Sequence, residues 1–177
     1  MSRPGKHQEH AAQPRLRRAY YDCRYGQLHV HNAIPPGGGF DELTSVVCLH
    51  GQGETGGVFV PAMQLLGARR SVYALDLPGV GGTDPAPGAE ATDAAVHAVA
   101  DFLDSMRIRS VDLIARGAAV AAARRLAQLR GDGIRHVVLV DAEGAAGAAP
   151  PGTTVLAAGE ATPARLIEIL DRPASRP

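Results

Sequence analysis

Tryptophan is absent, aromatic residues supply only 4% of the 177 positions, and 18 Lys plus Arg face 18 Asp plus Glu. The missing net charge removes the basic field that nucleic-acid binding draws on. With so few aromatics, the core has to be filled by Ala, Val and Leu, which suits close packing of helix on sheet. Apolar runs such as Ser45 to Leu49 and Val137 to Val140 are far below the roughly 20 residues a membrane helix needs. Cysteine is scarce as well: Cys23 and Cys48 lack zinc-finger spacing and read as small buried residues of a reducing compartment. The expectation is a soluble, cytoplasmic protein with no cofactor, no nucleic-acid partner and no membrane contact.

What is present is a pattern of short apolar strands alternating with helices. Residues 1–18 carry Arg3, Lys6, Arg15, Arg17 and Arg18 without an apolar stretch, and read as a disordered basic arm rather than a signal peptide. Residues 19–171 read as one domain and 172–177 as a flexible tail. Tyr20 to Tyr25 and Gln27 to Asn32 form a hairpin-like pair around Gly26. Thr44 to Leu49 is an apolar run of the kind buried on both faces of a parallel sheet. A Gly-rich turn, Gly51 to Gly57, leads into a helix over Val58 to Leu66 and a strand over Ser71 to Leu75.

Asp76 to Gly88 is turn chemistry, after which Thr92 or Asp93 is expected to cap a helix reaching Met106. Val111 to Ile114 is the next strand, Ala118 to Arg130 an Ala-rich helix stopped by Gly131, and His136 to Val140 another strand. An Ala/Gly/Pro linker over Ala142 to Gly152 precedes a strand at Thr154 to Ala158 and a helix at Arg165 to Leu170. The expected fold class is α/β: a mostly parallel sheet with helices on both faces and an antiparallel edge. Ligands of such sheets bind beyond the carboxyl ends of the strands, where His50, Asp76, Ala115 and Asp141 fall.

Four segments carry more than fold. "LHGQGETGG", "LDLPGVGGTDPA", "VDLIARGAAVAAARRLA" and "RHVVLVDAEG" occur in that order, and together the chain resembles the α/β-hydrolase superfamily. Active members place a nucleophile at the centre of Gly-x-Ser-x-Gly on a sharp strand-to-helix turn. Here the turn is Ala115-Arg116-Gly117-Ala118-Ala119, so the nucleophile position is Gly117, which cannot form an acyl-enzyme. The resemblance also implies an acid after a late strand, for which Asp141 is the candidate although ending a strand is its expected role. No histidine follows His136, the linker after Ala142 is too short for a lid, and the expectation is a truncated member lacking lid and last strand.

By position, the family's oxyanion donors would be the N–H groups of Gly51 or Gln52 and of Ala118. His50, Asp76 and Arg116 would line the retained pocket. These residues imply a catalytically degenerate hydrolase fold with a binding or partner-dependent role. The alternative is an active hydrolase of esters or related carbonyl substrates using other groups, with His50 as base beside Asp76 or Asp84. Another alternative is nucleotide binding, because Gly51, Gly53 and Gly56 spell G-x-G-x-x-G between strand and helix, with Asp76 after the next strand. A sheet ending at Thr154 to Ala158 leaves an edge open to a partner, a second copy or another chain.

Three further polar groups have expected structural roles. His97 shares a helix face with Asp93 and Asp101 at four-residue spacing, as in a solvated charge pair. His29 and His31 alternate on a strand, yet with no Asp, Glu or Cys cluster accompanying them in the sequence they read as a surface strand and not as a metal site. Arg116 is placed either to anchor an anion or to fill space.

Overall fold

The computed structural model describes residues 13–38, 43–142 and 149–173. Its elements are β1 (Arg15–Cys23), β2 (Gly26–Ile34), β3 (Ser45–Leu49), α1 (Val60–Leu66), β4 (Val72–Leu75), α2 (Ala91–Ser105), β5 (Val111–Arg116), α3 (Val120–Arg130), β6 (Ile134–Val140), β7 (Thr153–Leu156) and α4 (Pro163–Leu170). The seven strands form one sheet in the order β1-β2-β4-β3-β5-β6-β7. The β3, β4, β5, β6 and β7 strands run parallel, and the β1–β2 hairpin joins antiparallel to β4. The expected architecture is the observed one.

The central strands are apolar on both sides because both sides are covered. Val47, Leu49, Leu113 and Leu139 pack with Val99, Phe102, Leu103 and Leu126 from α2 and α3 on one face. Val46, Cys48, Ile114 and Val138 pack with Met63, Leu66, Leu166 and Ile169 from α1 and α4 on the other. The scarcity of aromatics is met by concentration: Phe102 is fully buried, with Tyr21 and Tyr73 set edge-on at centroid distances of 5.0 and 5.2 Å. Among the described residues no helix is long and apolar enough to cross a membrane. Cys23 and Cys48 are both free, and burial pushes the Cys48 thiol far up from its ordinary value.

Several boundaries differ from the sequence reading. The first strand begins at Arg15, paired with Ile34, so 15–18 belong to the sheet and not to an arm. Residues 1–12 of the arm, 143–148 of the linker and 174–177 of the tail lie outside the described residues. The cap of α2 is Glu90, whose carboxylate accepts from the N–H groups of Thr92 and Asp93. A longer side chain one turn earlier thus takes the role expected of Thr92 or Asp93.

The His97 pairing is also corrected. Its Nδ1 lies 3.0 Å from the Tyr25 hydroxyl, while Asp101 holds Arg24 and Asp93 holds Arg125. The turn of the β1–β2 hairpin docks on α2 and supplies partners that four-residue spacing on one helix cannot foresee.

Candidate functional site

The turn after β5 places Gly117 at the position where the family resemblance expects a nucleophile. Gly117 sits at φ +53°, in the left-handed region, between Arg116 in extended conformation and a 3-10 turn that opens α3. A side chain there would carry backbone strain of about 1–3 kcal/mol, which glycine avoids. The space itself is open: an added Cβ would meet only Gly51 Cα, at 3.6 Å.

Facing the elbow is the turn after β3. His50 is 2% exposed, and both of its ring nitrogens are committed. Leu77 N–H donates to Nε2 at 2.9 Å, so Nδ1 carries the proton and donates to the Gly51 carbonyl at 2.9 Å. The ring ties the end of β3 to the loop after β4 and has no lone pair left for proton abstraction. The Gly51 N–H donates to Glu54 Oε2 at 2.9 Å, and the same oxygen lies 3.3 Å from Arg116 Nε. One of the expected oxyanion donors therefore faces a carboxylate of its own loop. Gln52, in this turn, and Ala118, within the elbow, are exposed.

Asp76 is 2% exposed and acts as a hub. Its Oδ1 accepts Gly56 N–H at 2.7 Å, and its Oδ2 accepts Gly82 N–H at 3.0 Å and His29 Nδ1–H at 2.8 Å. Burial pushes this carboxyl up, but the bonds from Gly82, Gly56 and His29 outweigh it and hold the group below the ordinary carboxylate range. Close approach forces glycine at position 56, where a Cβ would sit 2.6 Å from the Ala74 carbonyl oxygen. Asp84, the other acid considered beside His50, instead accepts Gln27 N–H at 2.8 Å at the start of β2.

Asp141 ends β6 at φ +50°. Its N–H donates to Leu156 O at 3.0 Å, and its Oδ1 accepts Ala158 N–H at 2.7 Å. It ties β6 to the end of β7.

Of the three expected pocket residues, Arg116 alone lines a described cavity. That cavity, of about 170 Å³, lies between α1, α4 and the carboxyl ends of β5 and β6, walled by Phe59, Ile114, Val140, Ala161 and Leu166 among others. Among the described residues Arg116 is the one charged group on it. Its Nε is turned to Glu54, at 3.3 Å from Oε2.

Two features escaped the sequence reading. One is Glu54, whose place three residues after Gly51 lets its carboxylate fold back on the turn. His29 and His31 are not on a surface strand: each is 9% exposed, and both point at Asp76. Their one-residue separation on a strand was the available signal for a shared face; the carboxylate that completes the group was not.

Comparison with known proteins agrees with this geometry. A model of the Alpha/beta hydrolase family matches residues 46–176. A search of curated protein sequences found no match. Among solved structures, epoxide hydrolase VrEH1 from Vigna radiata is similar with a TM-score of 0.63 at 20% identity, over 71% of this chain and 40% of that one. Haloalkane dehalogenase DatA from Agrobacterium tumefaciens C58 is similar with a TM-score of 0.61 at 17% identity, over 71% and 41%. At such identities the likeness speaks for fold, and the chain spans about two fifths of the length of these enzymes. The sheet order, the glycine elbow and a family match across most of the sequence lead to one assignment: this chain belongs to the α/β hydrolase family.

Proposed function

We propose that the chain is a non-hydrolytic member of its family, a pseudoenzyme, that binds a small ligand pairing an apolar tail with a carboxylate or carbonyl oxygen. The observation that carries the reading is Gly117: the elbow geometry is kept at φ +53° while the nucleophile is gone. His50 adds support, because a base whose two nitrogens are both hydrogen-bonded has no capacity to activate water. The active-hydrolase alternative built on His50 loses its base for the same reason.

Nucleotide binding is disfavoured by charge. The G-x-G-x-x-G loop directs its Gly51 and Gly56 N–H groups at the carboxylates of Glu54 and Asp76, where a phosphate would need them. Arg116, by contrast, is a guanidinium on an apolar wall, suited to one oxyanion. The two free cysteines fit a cytoplasmic setting.

The test is hydrolysis of short and medium acyl esters by the purified protein, with a His50→Ala protein prepared identically, alongside calorimetry with butyrate and hexanoate. The expected result is no turnover above the control and saturable carboxylate binding that Arg116→Gln abolishes. Ester turnover present in the wild type and missing from the control would overturn the reading.

A partner-dependent role has its own support in β7. Among the described residues it lies at the edge of the sheet, paired with β6, and Val155 is 56% exposed. A second copy adding its own β7 would satisfy the open backbone groups.

A further inference from the structure

The group formed by His29, His31 and Asp76 stands apart from the Arg116 cavity and depends on no reading of it. Residues two apart on a strand point to the same side of the sheet, so both histidines leave β2 toward the face that carries α1. Their rings meet edge to face with centroids 4.9 Å apart. Asp76 follows β4, the antiparallel neighbour of β2, and its own N–H donates to the His29 carbonyl at 3.0 Å. This pairing brings the carboxylate to both rings: His29 Nδ1 is 2.8 Å from Oδ2 and His31 Nε2 is 3.8 Å from Oδ1. One ligand atom from each of the three residues lies within 4.8 Å of the others.

We infer that His29, His31 and Asp76 form a site for one divalent transition-metal ion of the zinc class. Two imidazoles and a carboxylate suit a borderline cation, and three protein ligands leave a fourth position for water. Tetrahedral ligands about 2.0–2.1 Å from zinc stand about 3.4 Å from one another; here the ligand atoms lie within 4.8 Å, with the two histidines on different oxygens of Asp76, so side-chain shifts would close the site. The outer shell is already built: Gly56 N–H and Gly82 N–H hold the two carboxylate oxygens in place.

Access is present too, since His31 lines a cavity of about 230 Å³ together with Leu16, Arg18, Val60 and Met63. On binding, His29 would offer Nδ1 to the ion and carry its proton on Nε2, which keeps the ring neutral. Arg18, paired with His31 in the β1–β2 ladder, opposes a cation. The Asp76 charge offsets it, and Arg18→Gln is expected to tighten the site.

The experiment is a zinc titration of the full chain against a chromophoric chelator, with a parallel cobalt(II) titration followed by visible absorption. The wild type is expected to bind one equivalent, to give the intense cobalt bands of four-coordination and to melt at a higher temperature with zinc. His31→Ala is expected to bind at least about 100-fold more weakly, beyond the about 10–100-fold that loss of an outer-shell partner costs. His31→Phe keeps the ring volume and repeats the test if the alanine variant does not fold. A His7→Ala/His10→Ala variant, which removes the imidazoles nearest the N-terminus, is expected to bind like the wild type. No stoichiometric uptake by the wild type overturns the inference, as does uptake that survives both His31 variants.

Discussion

The carboxylate of Glu54 accepts the Gly51 N–H at 2.9 Å, so a turn that resembles an oxyanion hole is occupied from within. A hole of this kind works because its donors await a charge that develops in the transition state. Here a resident negative charge has taken one of the donors, and the same oxygen engages Arg116 at 3.3 Å.

Removing that charge should expose the site. Glu54→Gln keeps a hydrogen-bond acceptor for Gly51 while releasing Arg116, and is expected to tighten carboxylate binding about tenfold, near 1.4 kcal/mol. Calorimetry with butyrate on both proteins measures it; equal affinities would mean that Arg116 does not hold the ligand.

Restoring the hydroxyl at the elbow should not restore catalysis. Gly117→Ser has room for its Cβ but must adopt φ +53°, which is expected to lower stability by about 1–3 kcal/mol. Urea denaturation gives that cost. Ester turnover is expected to stay at background, because His50 remains bound to Gly51 O and Leu77 N–H.

The hairpin clamp should give stability a carboxylate pH dependence. Asp101 accepts three bonds from Arg24, through N, Nε and Nη2. The bonds from the Arg24 side chain pull its carboxyl down, burial opposes them, and the Arg24 N–H adds to the fall. A carboxyl depressed in the folded state contributes stability fully above its unfolded value near 3.9, and loses it as pH falls through the folded value. Arg24 is about half exposed, so solvent screening limits the pair to about 1 kcal/mol. Asp101→Asn is therefore expected to be less stable by that amount at pH 7, with the difference closing below pH 3.9. A difference unchanged down to pH 2 would separate the clamp from ionisation.

The core should be most sensitive at its fully buried aromatic, Phe102. Phe102→Ala empties the space between Tyr21 and Tyr73 and is expected to cost about 3–5 kcal/mol in chemical denaturation.

Sedimentation analysis tests the β7 edge. Val155→Lys places a charge on an edge strand, a known block to strand addition. It is expected to convert a concentration-dependent dimer to monomer without loss of melting temperature. A wild type that stays monomeric at high concentration would remove the second-copy reading.

Much was legible in the sequence by itself. Apolar runs of four to six residues, separated by Gly and Pro, determined the parallel strands, because burial on both faces of a sheet leaves a local signature. The order of the turns determined the family likeness, and the sequence alone puts glycine at position 117, the centre of the turn after β5. Tertiary structure alone decided the polar partnerships. Asp76 stands 47 residues from His29, and Asp101 stands 77 from Arg24, so strand register and hairpin docking set which groups meet. His50 could be read as a free base until the loop after β4 delivered Leu77 N–H to it. Periodicity records which side of an element is apolar, whereas a buried polar group is satisfied by whatever the fold brings to it.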